Sequence, residues 1–372
     1  MYDFDAPLAA ALAGAHRPCS RIAFLDSSGA VAATYEAERS VLAGGSVQFD
    51  RTRVGRRSAT VELANPDGAL SPQDVDDLAF PGSRLRLERG AVIDDGRAYG
   101  LLATLRIATF TAGMDGRLAL ICQDVLEVLA QPFGEVVTIA ADTPAADMLR
   151  TAWEPVLGDS SAWALDDGGR TVAARSFLED EDRLAAVAQL LADLGLEVFS
   201  DRTGNVVLRP VPDPTTAATV RRFVRAAGRA EMLDLTRSGS RQPYNRVVVI
   251  AESPDRPTLR AIAEVTDPSS PIHQDRIGLR TAPIHRSAQI PDQAAANAVA
   301  AALLLEYSLF QDAVGGTSFP ALELDEGDVV EYVEPISGAN DRYLLDRVTH
   351  PLVTGGTLQA ATKVLPVFAG AG

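Results

Sequence analysis

The sequence predicts a mainly β protein with α+β insertions. Three observations carry this. Short runs of alternating apolar residues, punctuated by Gly, Asn, Asp and Pro, recur at the roughly 8–12-residue spacing of a barrel or a sandwich. Two stretches far apart, Phe80–Leu126 and Leu324–Leu365, share one layout. Between them lies a segment whose apolar residues switch from a period of two to helical spacing.

Residues 1–37 read as an N-terminal β segment, in which "RIAFLDSSGAVAATY" is strand, Asp-Ser-Ser-Gly turn, strand. Residues 38–128 read as a first β domain. Val61 and Leu63 alternate with Thr60, Glu62 and Ala64, the pattern of a half-buried strand, and Asn65-Pro66-Asp67-Gly68 is strong turn chemistry. The chain changes character at 129, and residues 129–215 read as an α+β domain. "TPAADMLRTAWEPVLG" predicts a short helix with Thr143 as N-cap, Pro144 in the first turn and Gly158 past the end. In "EDEDRLAAVAQLLADLGLEVFSDRTGNVVLRPVP", Leu184, Val187, Leu190, Leu191 and Leu194 share one helical face. Gly195 stops that helix, and a hairpin turns around Asp201-Arg202-Thr203-Gly204.

Residues 216–372 read as a second β domain. Residues 213–240 are taken as a connector whose structure the sequence leaves open. "YNRVVVIAES" and "TLRAIAEVTD" predict two strands joined across Ser253-Pro254-Asp255, and Pro291 opens a long helix near 291–311. The last stretch repeats the layout of the first domain. A strand led by Gly82 or Gly327 is followed by a loop and then a hairpin that turns at Asp115-Gly116 or Gly355-Gly356. Leu118, Leu120 and Cys122 alternate after one turn as Leu358, Ala360 and Thr362 do after the other. Two such units per chain would let three copies present six similar parts.

At 372 residues the chain exceeds the size of one hydrophobic core, and 47% hydrophobic residues argue against disorder. No apolar run reaches the ~20 residues of a spanning helix, and the acidic N-terminus lacks a signal peptide's basic region, so a cytoplasmically made, non-inserted protein is expected. A net charge of −16 disfavours DNA binding, which draws on a basic face. Cys19 and Cys122 are too few for a disulfide framework or a Cys-type zinc site, and Cys122 reads as a core residue.

No catalytic motif is present: no nucleophile elbow, no His-Glu-x-x-His, no phosphate loop, no dinucleotide fingerprint. No catalytic residue, metal or cofactor is therefore assigned. His16, His273, His285 and His350 are scattered. Asp166-Asp167 and Glu179–Asp182 read as a solvated turn and a charged helix start. Two arginine groups stand out, "RTRVGRR" with Arg51, Arg53, Arg56 and Arg57, and "RRFVRAAGR" with Arg221, Arg222, Arg225 and Arg229. They read as solvated faces or as contacts between subunits, where arginine is enriched and carboxylate partners are plentiful.

The succession of "SVQFDRTRVGRRSATVELANPDGALSP", "LADLGLEVFSDRTGNVVLRPVP", "NRVVVIAESPD" with "AEVTDPSSP", the alanine-rich helix and "LELDEGDVVEYV" resembles the hub proteins of phage tail baseplates and tail tips, in the form found in actinobacterial phages and related injection systems. The resemblance runs from about residue 40 to 365. It implies two similar β-barrel domains per subunit and a homotrimer whose pseudo-sixfold ring adapts the sixfold tail tube to a threefold tip. The implied partners are the tube or distal tail protein, the spike or fibre proteins, the tape measure protein and DNA in transit through the lumen. The implied location is the virion tail. The short ending "VLPVFAGAG" departs from relatives that carry a fibre or lytic domain. The rival classes are a tail-associated cell-wall hydrolase and a module that binds host-surface carbohydrate, the latter disfavoured by 6% aromatic residues.

Overall fold

The structure is a computed structural model. It describes residues 4–12, 17–36, 42–94, 96–158, 162–226, 229–230, 232–239, 244–253, 256–288, 290, 292–308, 312–336 and 339–364. Pro254, Asp255, Pro291, His16 and the tail beyond Val364, all named above, lie outside these. The protein is mainly β, as the sequence predicts.

A short helix, α1 (Ala6–Leu12), seats Leu8 against Ala91 and Ala98. β1 (Arg17–Leu25) and β2 (Val31–Glu36) form the expected hairpin, its turn closed by the Asp26 carboxylate, which accepts from the N–H groups of Ser28 and Ala30. β3 (Leu42–Asp50), β4 (Arg57–Ala64), β5 (Arg84–Ile93), β6 (Gly96–Ala112) and β7 (Arg117–Gln123) complete the first unit, in the order β3-β4-β7-β6-β5-β1-β2. The N-terminal hairpin belongs to this sheet, because β1 pairs with β5 along its whole length. Every second residue of β4 faces the core, and Val61 and Leu63 are fully buried. Burying such a side chain contributes about 1.5–3 kcal/mol.

The middle module comprises β8 (Val137–Ile139), β9 (Thr143–Pro144), α2 (Ala145–Leu157), β10 (Ala164–Leu165), β11 (Thr171–Val172), β12 (Arg175–Phe177), α3 (Arg183–Asp193), β13 (Leu196–Ser200) and β14 (Val206–Pro210). Thr143 is not the cap of α2. Pro144 holds that position, and the Thr143 hydroxyl donates to the Ala140 carbonyl. α3 follows its periodicity: Asp182 caps it, its leucines and Val187 are buried, and Gly195 takes a φ of 69° just past it.

The stretch 213–240, left open by the sequence, carries three strands, β15 (Thr219–Ala226), β16 (Arg229–Ala230) and β17 (Met232–Gly239). An insertion follows: β18 (Arg246–Ser253) and β19 (Arg256–Glu264) as a hairpin, the short α4 (Gln274–Ile277), β20 (His285–Arg286) beside β18, and α5 (Gln293–Ser308) packed over the hairpin. β21 (Asp312–Ser318), β22 (Val329–Glu334), β23 (Ala339–Pro351) and β24 (Leu358–Val364) finish the second unit, in the order β15-β22-β23-β24-β21-β17.

The two units repeat at the level of single hydrogen bonds. Gly82, with φ 98°, donates to the Ile107 carbonyl at 2.7 Å, and Ile107 donates to Ser83 at 2.9 Å. Gly327, with φ 85°, donates to Leu345 at 2.8 Å, and Leu345 donates to Asp328 at 2.9 Å. Across each sheet the same row of neighbours continues, Ile107–Cys122–Ala59–Val47 in the first unit and Leu345–Thr362–Val314–Arg237 in the second. A bulge follows Ile107 in one and Leu345 in the other. The residues matched by the sequence pattern are all buried: Leu118, Leu120, Cys122 and Leu358, Ala360, Thr362.

Two differences separate the units. β1 runs antiparallel to β5, whereas β15 runs parallel to β22. The six-residue β3–β4 connection of the first unit corresponds to the whole insertion between β17 and β21. Nor are the units separate barrels by their ladders. β3 pairs with the second half of β23, Ser46–Asp50 against Arg347–Pro351, and so joins them in one sheet of 14 strands among the described residues. No ladder among those residues closes either unit on itself.

Candidate functional site at the junction of the modules

The β3–β23 joint is locked by buried charge. Arg202 sits at the tip of the β13–β14 hairpin, where the Asp201 carboxylate accepts from Thr203 and Asn205 and shapes the turn. Turn residues are ordinarily solvated, but Arg202 is 2% exposed. Its guanidinium donates to the carbonyls of Leu101 in the first unit and of Leu322 and Leu324 in the second, and to Asp325 at 3.1 Å. Arg57 on β4, equally buried, donates to the Ser200 carbonyl of the middle module and to Asp325 at 2.9 Å and Glu326 at 3.1 Å. Both guanidinia lie over the Phe49 ring, at 5.3 and 5.0 Å. Each arginine therefore ties three modules together.

Arg56 extends the cluster. It pairs with Glu197 at 2.7 Å and lies 4.0 Å over Phe199. Asp124 accepts from the Arg57 and Leu126 N–H groups and from the Ser200 hydroxyl. Arg89 on β5, 1% exposed, donates to the carbonyls of Pro351, the last residue of β23, and of Val353 just past it. Burial pulls its pKa down to about 10. Gly45 completes the seam. Its carbonyl accepts from Leu352, and its φ of 128° together with the Thr60 carbonyl excludes a side chain.

The charges in this cluster are graded. Burial opposes ionisation of Asp325, but Arg57 and Arg202 outweigh it and hold the carboxyl well below its ordinary range. Burial and the adjacent Asp325 charge push Glu326 well above its own. Burial brings His350 down to about 3, with Arg202 adding to the effect. The neutral ring donates from Nε2 to the Leu324 carbonyl at 3.2 Å and packs on Phe49. A carboxyl pair with opposed shifts is the pattern of a general acid and base. Here, however, the ionised member is held by two arginines and the side chain of Glu326 is 1% exposed, so the pair serves cohesion. A surface groove of about 760 Å³ nearby, lined by Arg51, Arg53, Val54, Ala188, Leu303 and Lys363, does not include it.

The structure divides the arginine candidates. Arg56 and Arg57 are inside the chain and hold its own modules. Arg53 is exposed with Glu127 at 3.3 Å, and Arg51 is half-buried, its N–H donating to Asp346. Arg221 pairs with Glu323, Arg222 with Glu331 at 3.1 Å, and Arg225 reaches Glu334 at 4.0 Å. These three lie along β15, and Arg222 and Arg225 are exposed. Arg229 is in β16. Arg202, Asp325 and Glu326 were not singled out by sequence reasoning, although the stretches that contain them carried the resemblance. His285 contacts Asp193, which also accepts from Ser287, and His273 caps α4. Among the described residues no group of three or more metal-ligating side chains is assembled, and no helix is long and apolar enough to cross a membrane.

No protein-family model and no curated protein matches the chain. Solved structures do, and the fold they share with it is that of phage tail proteins. The tail protein of Neisseria meningitidis aligns with a TM-score of 0.63 at 13% identity, over 92% of this chain and 96% of that one. The 43 kDa tail protein of prophage MuSo2 from Shewanella oneidensis aligns with a TM-score of 0.62 at 14% identity, over 94% and 98%. A component of the Escherichia coli type VI secretion system, described as similar to the T4 bacteriophage tail proteins gp27 and gp5, aligns with a TM-score of 0.51 at 11% identity, over 88% and 74%. At these identities the likeness is one of fold.

Proposed function

We propose that this chain is a structural hub of a phage or phage-like tail, assembling as a homotrimer that adapts a sixfold tube to a threefold tip. The observation that carries the reading is the internal repeat. Two units with the same strand order and the same Gly-anchored hydrogen bonds allow three chains to offer six similar parts. The near-complete overlap with two phage tail proteins supports it. In this reading the two units are the barrel-like bodies of the ring, with residues 38–128 and 216–372 as the ring-forming parts, 129–215 as an added α+β domain and 1–37 as an N-terminal segment. Arg51, Arg53, Arg221, Arg222 and Arg225 lie toward neighbouring subunits. The tube or distal tail protein stacks on one side of the ring, and the spike, fibre and tape measure proteins on the other. DNA passes without adhering because the chain's net charge of −16 repels it.

The role is architectural rather than catalytic. Light scattering on the purified chain tests the assembly: the expected mass is three times 39.3 kDa, and a single-chain mass at every concentration argues against a ring. Incubation with purified cell walls separates the rival, since sustained release of fragments belongs to a hydrolase.

A further inference from the structure

At one place the two repeated units differ in chemistry. Aligned on the hydrogen bonds of Gly82 and Gly327, Arg84 and Arg106 of the first unit correspond to Val329 and Leu344 of the second. Val329 and Leu344 face each other across β22 and β23, are 1% and 3% exposed, and pack with Ala217. Arg342 holds the segment that leads into β15 by donating to the Thr215 and Ala217 carbonyls. The two arginines have no such lead-in segment. β1 runs antiparallel to β5 and brings its last residue, Leu25, opposite Arg84, whereas β15 brings its first, Thr219, opposite Val329.

Arg84 and Arg106 stand directly opposite each other on β5 and β6, and both are half-buried. Like charges so placed repel. Burial, with the Arg84 charge added to it, lowers the Arg106 pKa. Other arginines of the same sheet are matched, Arg21 with Glu88 and Arg97 with Glu36. Among the described residues neither Arg84 nor Arg106 has a side-chain hydrogen bond or an ion pair. The two line a cavity of about 530 Å³ between the β1–β2 turn and the loop that leads into β5. Leu25, Leu78 and Phe80 give it an apolar wall, and Val75 at its edge is 66% exposed. Asp26, Asp76 and Asp77 also line it, and the carboxylates of Asp26 and Asp77 accept from backbone N–H groups of their own turns.

We propose that this cavity is a docking site for an acidic segment of another polypeptide, with an Asp or Glu carboxylate received by Arg84 and Arg106 and an apolar neighbour laid on the Leu78–Phe80 wall. Guanidinium groups supply the donors that a carboxylate accepts, and the bond is strengthened by the charge on both partners. The three aspartates in the lining favour a singly charged ligand over a dianion such as phosphate. That the carboxylate arrives on a polypeptide follows from the repeat, since a segment of chain covers the matching pair in the second unit. There an apolar residue meets an apolar pair; here a negative charge meets two positive ones. The site rests on the repeat and is independent of the number of copies in an assembly.

The test uses the full-length chain and a set of end-blocked pentapeptides with Glu at the centre and Ala, Val, Leu or Phe on either side, beside a matching set with Gln at the centre. Followed by ligand-observed NMR, the best Glu peptide should bind at least tenfold more tightly than its Gln counterpart. Arg84→Val with Arg106→Leu, which installs the pair of the second unit, should abolish that preference. Arg106→Gln, a smaller change that keeps the surface polar, should by itself weaken the Glu peptide at least fivefold without lowering the thermal midpoint. No preference for Glu in any peptide, or a preference that survives both variants, overturns the proposal. So does inorganic phosphate or hexanoate that binds as tightly as the Glu peptides, which would mark an adventitious anion site only. A lowered midpoint for Arg106→Gln would assign the arginine to the fold and overturn it as well.

Discussion

Arg202 occupies a turn and yet is buried, because its five donors meet three carbonyls and a carboxylate from two other modules. Arg202→Ala should cost about 3–5 kcal/mol in urea unfolding, the usual penalty for leaving a buried partner uncompensated. Arg202→Lys should recover less than half of that, since an ammonium cannot reproduce the planar fork. The carboxyl pair separates by pH. Asp325 has a lowered pKa, so its stabilisation is present above its ordinary value of 3.8 and is lost as pH falls below it. Glu326 has a raised pKa, so its contribution is present below 4.5 and is lost as pH rises toward its folded value. Glu326→Gln should therefore gain on the wild type as pH rises above 4.5, while Asp325→Asn should lose about 3–5 kcal/mol at pH 7. A stability difference for Glu326→Gln that does not vary with pH would contradict the assignment. Of this cluster the sequence marked only Arg56 and Arg57, as solvated or intersubunit arginines, and not their partners. Its members are 57, 202 and 325 residues along the chain, and only β-strand pairing brings them together.

At the scale of elements, the repeated glycine strands make a paired prediction. Gly82 and Gly327 share a left-handed φ, and the nearest atoms a Cβ would meet are flexible arginine side chains, at 3.6 and 3.7 Å. Alanine at either site should cost about 1–2 kcal/mol from backbone strain alone, and by similar amounts at both. Widely different costs in thermal unfolding would mean that the two turns are not equivalent. These turns were legible because a glycine and an alternating strand leave a local mark. α3 was legible for the same reason, its leucines following helical spacing. The strands at 219–239 were not, since "TVRRFVRAAGR" alternates weakly and its pairing comes from β22, about a hundred residues later. The Thr143 cap failed because the preceding β9 pairs with β11 and directs the hydroxyl to Ala140.

At the scale of the molecule, the sequence resemblance anticipated the fold that the phage tail structures share, and the repeated layout anticipated the repeated unit. The fusion of both units into one sheet through β3 and β23 could not be read ahead, because register between distant strands has no local signature. In the proposed ring that fusion couples the two units of each chain, so that three copies place six similar units around one axis. Electron cryo-microscopy of the assembled ring viewed end-on tests this most directly. The expected image has threefold symmetry with six similar lobes. Three lobes, or units at unequal radii, would contradict it.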